Sequence, residues 1–156
     1  MDNALPNETR VVSLLEALLG RKVDVDVVDK GMTNDLTGVV GVYSAGDDVV
    51  ALCICDVAIA SHAGAALSMI PPNVAEECVK SGELDDNLLG NFSEILNIGS
   101  QWFEESSQSR VTLKSVETQA DALCSAAAQI VENSSQRLDL EITISDYGTG
   151  RCILMR

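Results

Sequence analysis

Two stretches of strict apolar and polar alternation constrain this chain most: Val23-Asp24-Val25-Asp26-Val27, and Leu138 to Ile144. A period of two is that of a strand with one face buried and the other solvated, so the chain must build a sheet. The hydrophobic fraction is 46% while aromatics are only 3%. Val, Leu, Ile and Ala therefore fill most of the interior, a mix that suits a sheet packed on helices. A length of 156 residues fits one hydrophobic core and a single domain over 1–156.

The remaining elements follow from spacing. Val11, Val12, Leu14, Leu15, Leu18 and Leu19 predict a helix over Glu8 to Leu19, stopped by Gly20. A strand at Lys22 to Asp29 leads through a loop, Lys30 to Leu36, into strands at Thr37 to Ser44 and Asp48 to Cys55. Ala45-Gly46-Asp47 suits a tight hairpin between these two. Asp56 can cap a small-residue helix, Val57 to Ile70, in which Ala60, Ala63, Gly64 and Ala66 permit close approach by another helix. Pro71-Pro72 ends it; Asn73 can cap a short helix through Val79, and Ser81-Gly82 precedes a long helix from Leu84 to Glu105. After a polar break at Ser106 to Ser109 come a strand at Arg110 to Val116 and an alanine-rich helix at Ala120 to Val131. A hairpin of Leu138 to Ile144 with Arg151 to Met155 follows. Helix followed by strands in both halves suggests an internal duplication, with Glu16-Ala17-Leu18-Leu19 opposite Glu94-Ile95-Leu96-Asn97.

The net charge of −14 disfavours nucleic acid and anionic membranes as partners, because both require cationic groups. Met1 to Asn7 has neither the basic start nor the apolar run of a secretion signal, and no stretch reaches the roughly 18 apolar residues of a membrane span. A cytoplasmic location is the resulting expectation. Cys53, Cys55, Cys78, Cys124 and Cys152 lie in apolar surroundings without close metal-ligand spacing, as reduced core thiols would. Cys53 and Cys55 share one strand face, yet packing is preferred to zinc. His62, the only histidine, reads as a packing residue. Ser61 and Ser68 lack triad partners, and Asp47-Asp48 and Asp85-Asp86 read as turn and cap residues before they read as Mg²⁺ ligands.

The long helix carries the chemistry. At about 100° per residue, Leu88, Phe92, Ile95, Leu96, Gly99, Trp102 and Phe103 gather on a core-facing side. Asn87, Asn91, Glu94, Asn97 and Gln101 gather opposite, with Glu94 and Asn97 three residues apart and adjacent on the surface. A solvated polar face is the plain account of such a stripe. Carboxamides are nevertheless unusual there, since Lys, Glu and Arg are better helix formers. A carboxamide can both donate to and accept from one water, which orients that water without deprotonating it. In acyl-phosphate hydrolysis positioning and charge stabilisation carry most of the catalysis, and a carboxylate suits docking on a cation.

Ser93-Glu94-Ile95-Leu96-Asn97-Ile98-Gly99-Ser100 resembles the Glu-x-x-Asn helix motif of the CheC/CheX phosphatases of bacterial chemotaxis. Gly90 stands where CheC-type motifs usually carry Asp or Ser, and Ala120 where they carry proline; one intact pair is closer to the CheX pattern. The resemblance implies an α/β (α+β) CheC-like domain with a mainly antiparallel sheet against long helices. It implies hydrolysis of the aspartyl phosphate of a CheY-type response-regulator receiver, with Asn97 orienting water and Glu94 pairing with the receiver's lysine. It implies no cofactor of the chain's own, Mg²⁺ on the receiver, and a homodimer. The apolar strands Val39 to Val42 and Val49 to Cys55 add a motive for self-association. The alternative is a non-catalytic CheC-like adaptor or flagellar binding module.

Overall fold

The structure, a computed structural model, describes residues 5–29, 38–104, 110–118, 124–133 and 136–156. Helix α1 (Glu8–Leu19) begins where Asn7 Oδ1 accepts from the Arg10 amide at 2.9 Å and ends at Gly20 in the left-handed conformation. The chain continues through β1 (Val23–Val27), β2 (Gly38–Ala45), β3 (Asp48–Asp56), α2 (Val57–Leu67), α3 (Pro72–Ser81) and α4 (Asp86–Ile98). A 3₁₀ segment (Gly99–Phe103) extends α4 before β4 (Val111–Glu117), α5 (Ser125–Asn133), β5 (Arg137–Ile144) and β6 (Gly148–Met155). Among the described residues, no helix is long and apolar enough to cross a membrane.

The strands form one sheet in the order β1-β5-β6-β3-β2-β4, and each neighbouring pair is antiparallel. This is the expected class, a mixed α/β fold with an antiparallel sheet against helices. Exchanging β1 with β4, β2 with β5 and β3 with β6 reverses the order without changing it. The topology is therefore two-fold symmetric, as the suggested duplication requires, and each half lends its first strand to the other half's hairpin. Glu16 of α1, set opposite Glu94 in the sequence comparison, accepts from the Val23 amide at 3.0 Å and so secures the start of β1.

Helices α1, α2 and α4 cover one face of the sheet, where Leu15, Ile59, Phe92 and Ile95 share a core with Tyr43, Cys53 and Ile142. On the other face α5 sets Ala127 and Ile130 against Val40, Leu52, Ile153 and Met155. Strands β2 and β3 are interior strands with apolar side chains on both faces, which accounts for their nearly continuous apolar runs. The apolarity that offered a motive for self-association is thus buried within the chain.

Four helices differ from their expected bounds, and the first of them, α2, ends at Leu67 instead of Ile70. Pro71, not Asn73, is the N-cap of α3, and Pro72 takes the first helical position, where a missing N–H costs nothing. Asp85 caps α4 by accepting from the Leu88 amide at 2.8 Å, and α-helical geometry stops at Ile98. There the Leu96 carbonyl, which a continuing helix would offer to Ser100, accepts the Tyr43 hydroxyl at 2.6 Å, and the chain tightens into the 3₁₀ segment. Helix α5 spans Ser125–Asn133; the start expected near Ala120, like the loop Lys30 to Leu36 and the break after Ser106, lies outside the described residues. The final turn is shorter than expected, because β6 already pairs from Gly148.

The expected small-residue approach is present: a Cβ on Gly64 of α2 would lie 2.6 Å from the backbone oxygen of Leu88 in α4. Gly64→Ala should cost about 1–3 kcal/mol in urea unfolding, since backbone cannot yield as a side chain tip can. Gly90→Ala, with nothing within 4 Å of the added methyl, should instead stabilise by about 0.5–1 kcal/mol.

Candidate functional site

One face of α4 is fixed by burial, with Leu88, Phe92, Ile95 and Leu96 at most 3% exposed. Trp102 and Phe103 of the 3₁₀ segment are buried as well. The Arg10 guanidinium adds a tie from α1, donating to the Gln101 carbonyl at 2.9 Å. The opposite face presents Asn87, Glu94, Asn97 and Gln101 to solvent. Among the described residues no hydrogen bond or ion pair engages the Glu94 or Asn97 side chain. A carboxylate and a carboxamide one turn apart are therefore available to an external target, on a helix that cannot rotate without uncovering its core side.

Asn91, expected on the same accessible stripe, belongs to the fold instead. It is half-buried, and its Nδ2 donates to the Gly64 carbonyl at 2.9 Å and to Ser68 Oγ at 3.0 Å. That amide joins α4 to the end of α2, because the glycine approach brings an α2 carbonyl within its reach. Ser93 likewise turns inward along its helix, donating to the Leu89 carbonyl at 2.8 Å.

Other candidates take structural positions. Asp85 is a helix cap, and Asp47 and Asp48 sit exposed at the β2–β3 turn. Asp56 caps α2, its Oδ1 accepting from the Ile59 amide at 2.8 Å and its Oδ2 from the Arg151 amide at 3.1 Å. Burial raises the Asp56 carboxyl above its ordinary value, opposed by these two hydrogen bonds and by the Arg151 charge. His62 is buried, with Nδ1 unpartnered among the described residues, and its ring packs on Gly148 so closely that a Cβ there would lie 2.6 Å from Nε2. Burial lowers the His62 imidazole below its usual range, against the pull of Asp56 and Glu76.

The cysteines divide. Cys124 is exposed, contrary to the reading of all five as core thiols, because α5 buries chiefly its Ala127 side. Cys53, Cys55 and Cys152 converge in the core with their sulfurs within 4.8 Å of one another. Period two put Cys53 and Cys55 on one face; only the register of β3 with β6, which sets Cys152 opposite Cys55, could add the third.

No family model matches the chain, and no curated relative matches it. Solved structures do. The FliM middle domain from H. pylori superposes with a TM-score of 0.68 at 16% identity, over 94% of this chain and 83% of that one. Thermotoga maritima FliY matches with a TM-score of 0.58 at 16% identity, over 92% of this chain and 80% of that one. A CheC-like superfamily protein from Shewanella also matches, at 8% identity and a TM-score of 0.47, over 94% of this chain and 92% of that one. The chain has the fold of the FliM middle domain and of FliY, a mixed α/β domain with an antiparallel sheet against helices, as the sequence predicted.

Asn91→Ala should cost about 1 kcal/mol of stability, since it leaves the Gly64 carbonyl without its donor. Asn97→Ala should stay within about 0.5 kcal/mol of wild type in the same denaturation series. For His62 the folded imidazole lies below its ordinary value of 6.5, so the unfolded chain protonates first. Its contribution is fully present above that value and declines as pH falls below it. Urea midpoints measured downward from neutral pH should drop through this window in wild type, and the drop should flatten in His62→Gln.

Proposed function

We propose that this protein hydrolyses the aspartyl phosphate of a CheY-type receiver, with Asn97 orienting the attacking water and Glu94 docking on a lysine of the receiver. The observation that supports this best is the joint exposure of the two side chains on a helix whose other face is locked in the core. Water attacks phosphorus, the bond from phosphorus to the aspartyl oxygen breaks, and inorganic phosphate departs. The carboxamide holds the water in line by donating and accepting, while the carboxylate fixes the approach. Mg²⁺ in such a reaction sits on the receiver, so nothing is required of this chain beyond its side chains. A cytoplasmic setting follows from such a partner. The homodimer implied by the CheX pattern would have the sheet edges β1 and β4 as its available strands.

A second reading is favoured by the strength of the FliM likeness: a switch-type binding module that engages its partner through the same α4 face without turnover. Two substitutions separate the readings. Asn97→Ala should lower receiver dephosphorylation at saturating protein on the order of 10²-fold while binding to a phosphorylated-like receiver persists. Glu94→Ala should weaken that binding by about 1–3 kcal/mol. Wild-type decay in Asn97→Ala at saturation would eliminate the catalytic reading and leave the binding module.

A further inference from the structure

Three side chains outside the α4 surface share one place. Residues 53 and 55 alternate onto the helix-covered face of β3, and the antiparallel register sets Cys152 of β6 directly opposite Cys55. Cys53 Sγ lies 3.6 Å from Cys55 Sγ and 3.6 Å from Cys152 Sγ, and the third separation is at most 4.8 Å. A point equidistant from such a triangle lies about 2.1–2.4 Å from each sulfur, which brackets a metal–thiolate bond of about 2.3 Å. Two of the three separations already match the sulfur spacing of one three-coordinate ion, and the third pair closes toward the same spacing when a single atom bridges all three. They also line a cavity of about 20 Å³, whose other walls are apolar groups such as Leu15, Ile59, Phe92 and Trp102. All three cysteines are free and at most 4% exposed.

The surroundings choose the ion. A trithiolate brings three negative charges into an apolar space, and none of the residues lining the cavity is cationic. A monovalent soft ion would leave a net charge of about −2 and a divalent one about −1, each costly in an apolar interior. Zinc would also want a fourth donor, which the lining does not offer. A trivalent ion with three sulfur bonds is neutral and coordinatively complete. The geometry points to a binding site for a trivalent thiophilic ion of the arsenite class, held by Cys53, Cys55 and Cys152.

The chemistry balances without an oxidant. Three S–H groups meet As(OH)₃, three As–S bonds form, three As–O bonds break, and three waters leave. Once bound, the ion ties β3 to β6 at the junction of the two halves.

The test uses the full chain with all its elements in place. One equivalent of arsenite should bind per chain, and arsenic X-ray absorption should show three sulfur neighbours and no oxygen. The unfolding midpoint should rise with arsenite concentration, as binding to the native state demands. Cys78→Ala with Cys124→Ala removes the two outlying thiols and should change neither result. Cys152→Ser should reduce the shell to two sulfurs; if that variant does not fold, the outlying double variant still decides the matter. An oxygen in the wild-type shell, a lowered midpoint or loss of binding in the double variant would overturn the site. Tighter binding of Zn²⁺ or Cu(I) than of arsenite by the same three cysteines would overturn the assignment of the ion.

Discussion

The pairing of β3 with β6 is the contact on which the rest of the molecule depends. Leu52, Cys53, Ile54 and Cys55 stand opposite Met155, Leu154, Ile153 and Cys152, and apolar side chains leave this seam toward both faces. It joins a hairpin from the first half to a hairpin from the second, so neither half completes its sheet alone. The exchange of β1 and β4 between halves then closes the outer positions. Loss of the central seam would separate the two hairpins and strip α1, α2 and α4 of the surface they cover, which makes the core cooperative across the whole sequence.

Helix α4 inherits its orientation from that seam through two close approaches. Gly64 lets the α2 backbone come within contact of Leu88, and the Tyr43 hydroxyl takes the Leu96 carbonyl from the far side. Between them the helix has one rotation available, and in that rotation Glu94 and Asn97 point outward. The same approaches explain why the amides on the polar stripe are not equivalent. Asn91 lies at the level of the glycine contact and is consumed by it, whereas Asn97 lies six residues on and its side chain makes no hydrogen bond among the described residues. A solvent-exposed pair and an internal amide that serves the fold can thus occupy one stripe.

The buried thiols show the reverse relation, in which packing brings chemistry inward. Cysteine is small and apolar enough to fill a crowded sheet face, and the Cys55 and Cys152 pair with Cys53 two residues along packs there as core. The rest of the cavity wall is aliphatic or aromatic, so the sulfurs are its only donors.

The sequence by itself determined the elements and the division of α4 into two faces. Alternation in β1 and β5, the cap at Asp56 and the glycine at 20 are local, and local rules read them correctly. The Glu94 and Asn97 pair was legible for the same reason, since helical phase depends only on spacing. The tertiary structure decided what requires two segments at once. Whether Asn91 faced water depended on an α2 carbonyl, where α4 ended depended on a hydroxyl from β2, and Cys152 met Cys53 and Cys55 only through strand register. Periodicity states which way a side chain points from its own backbone, but not what another part of the chain will place there.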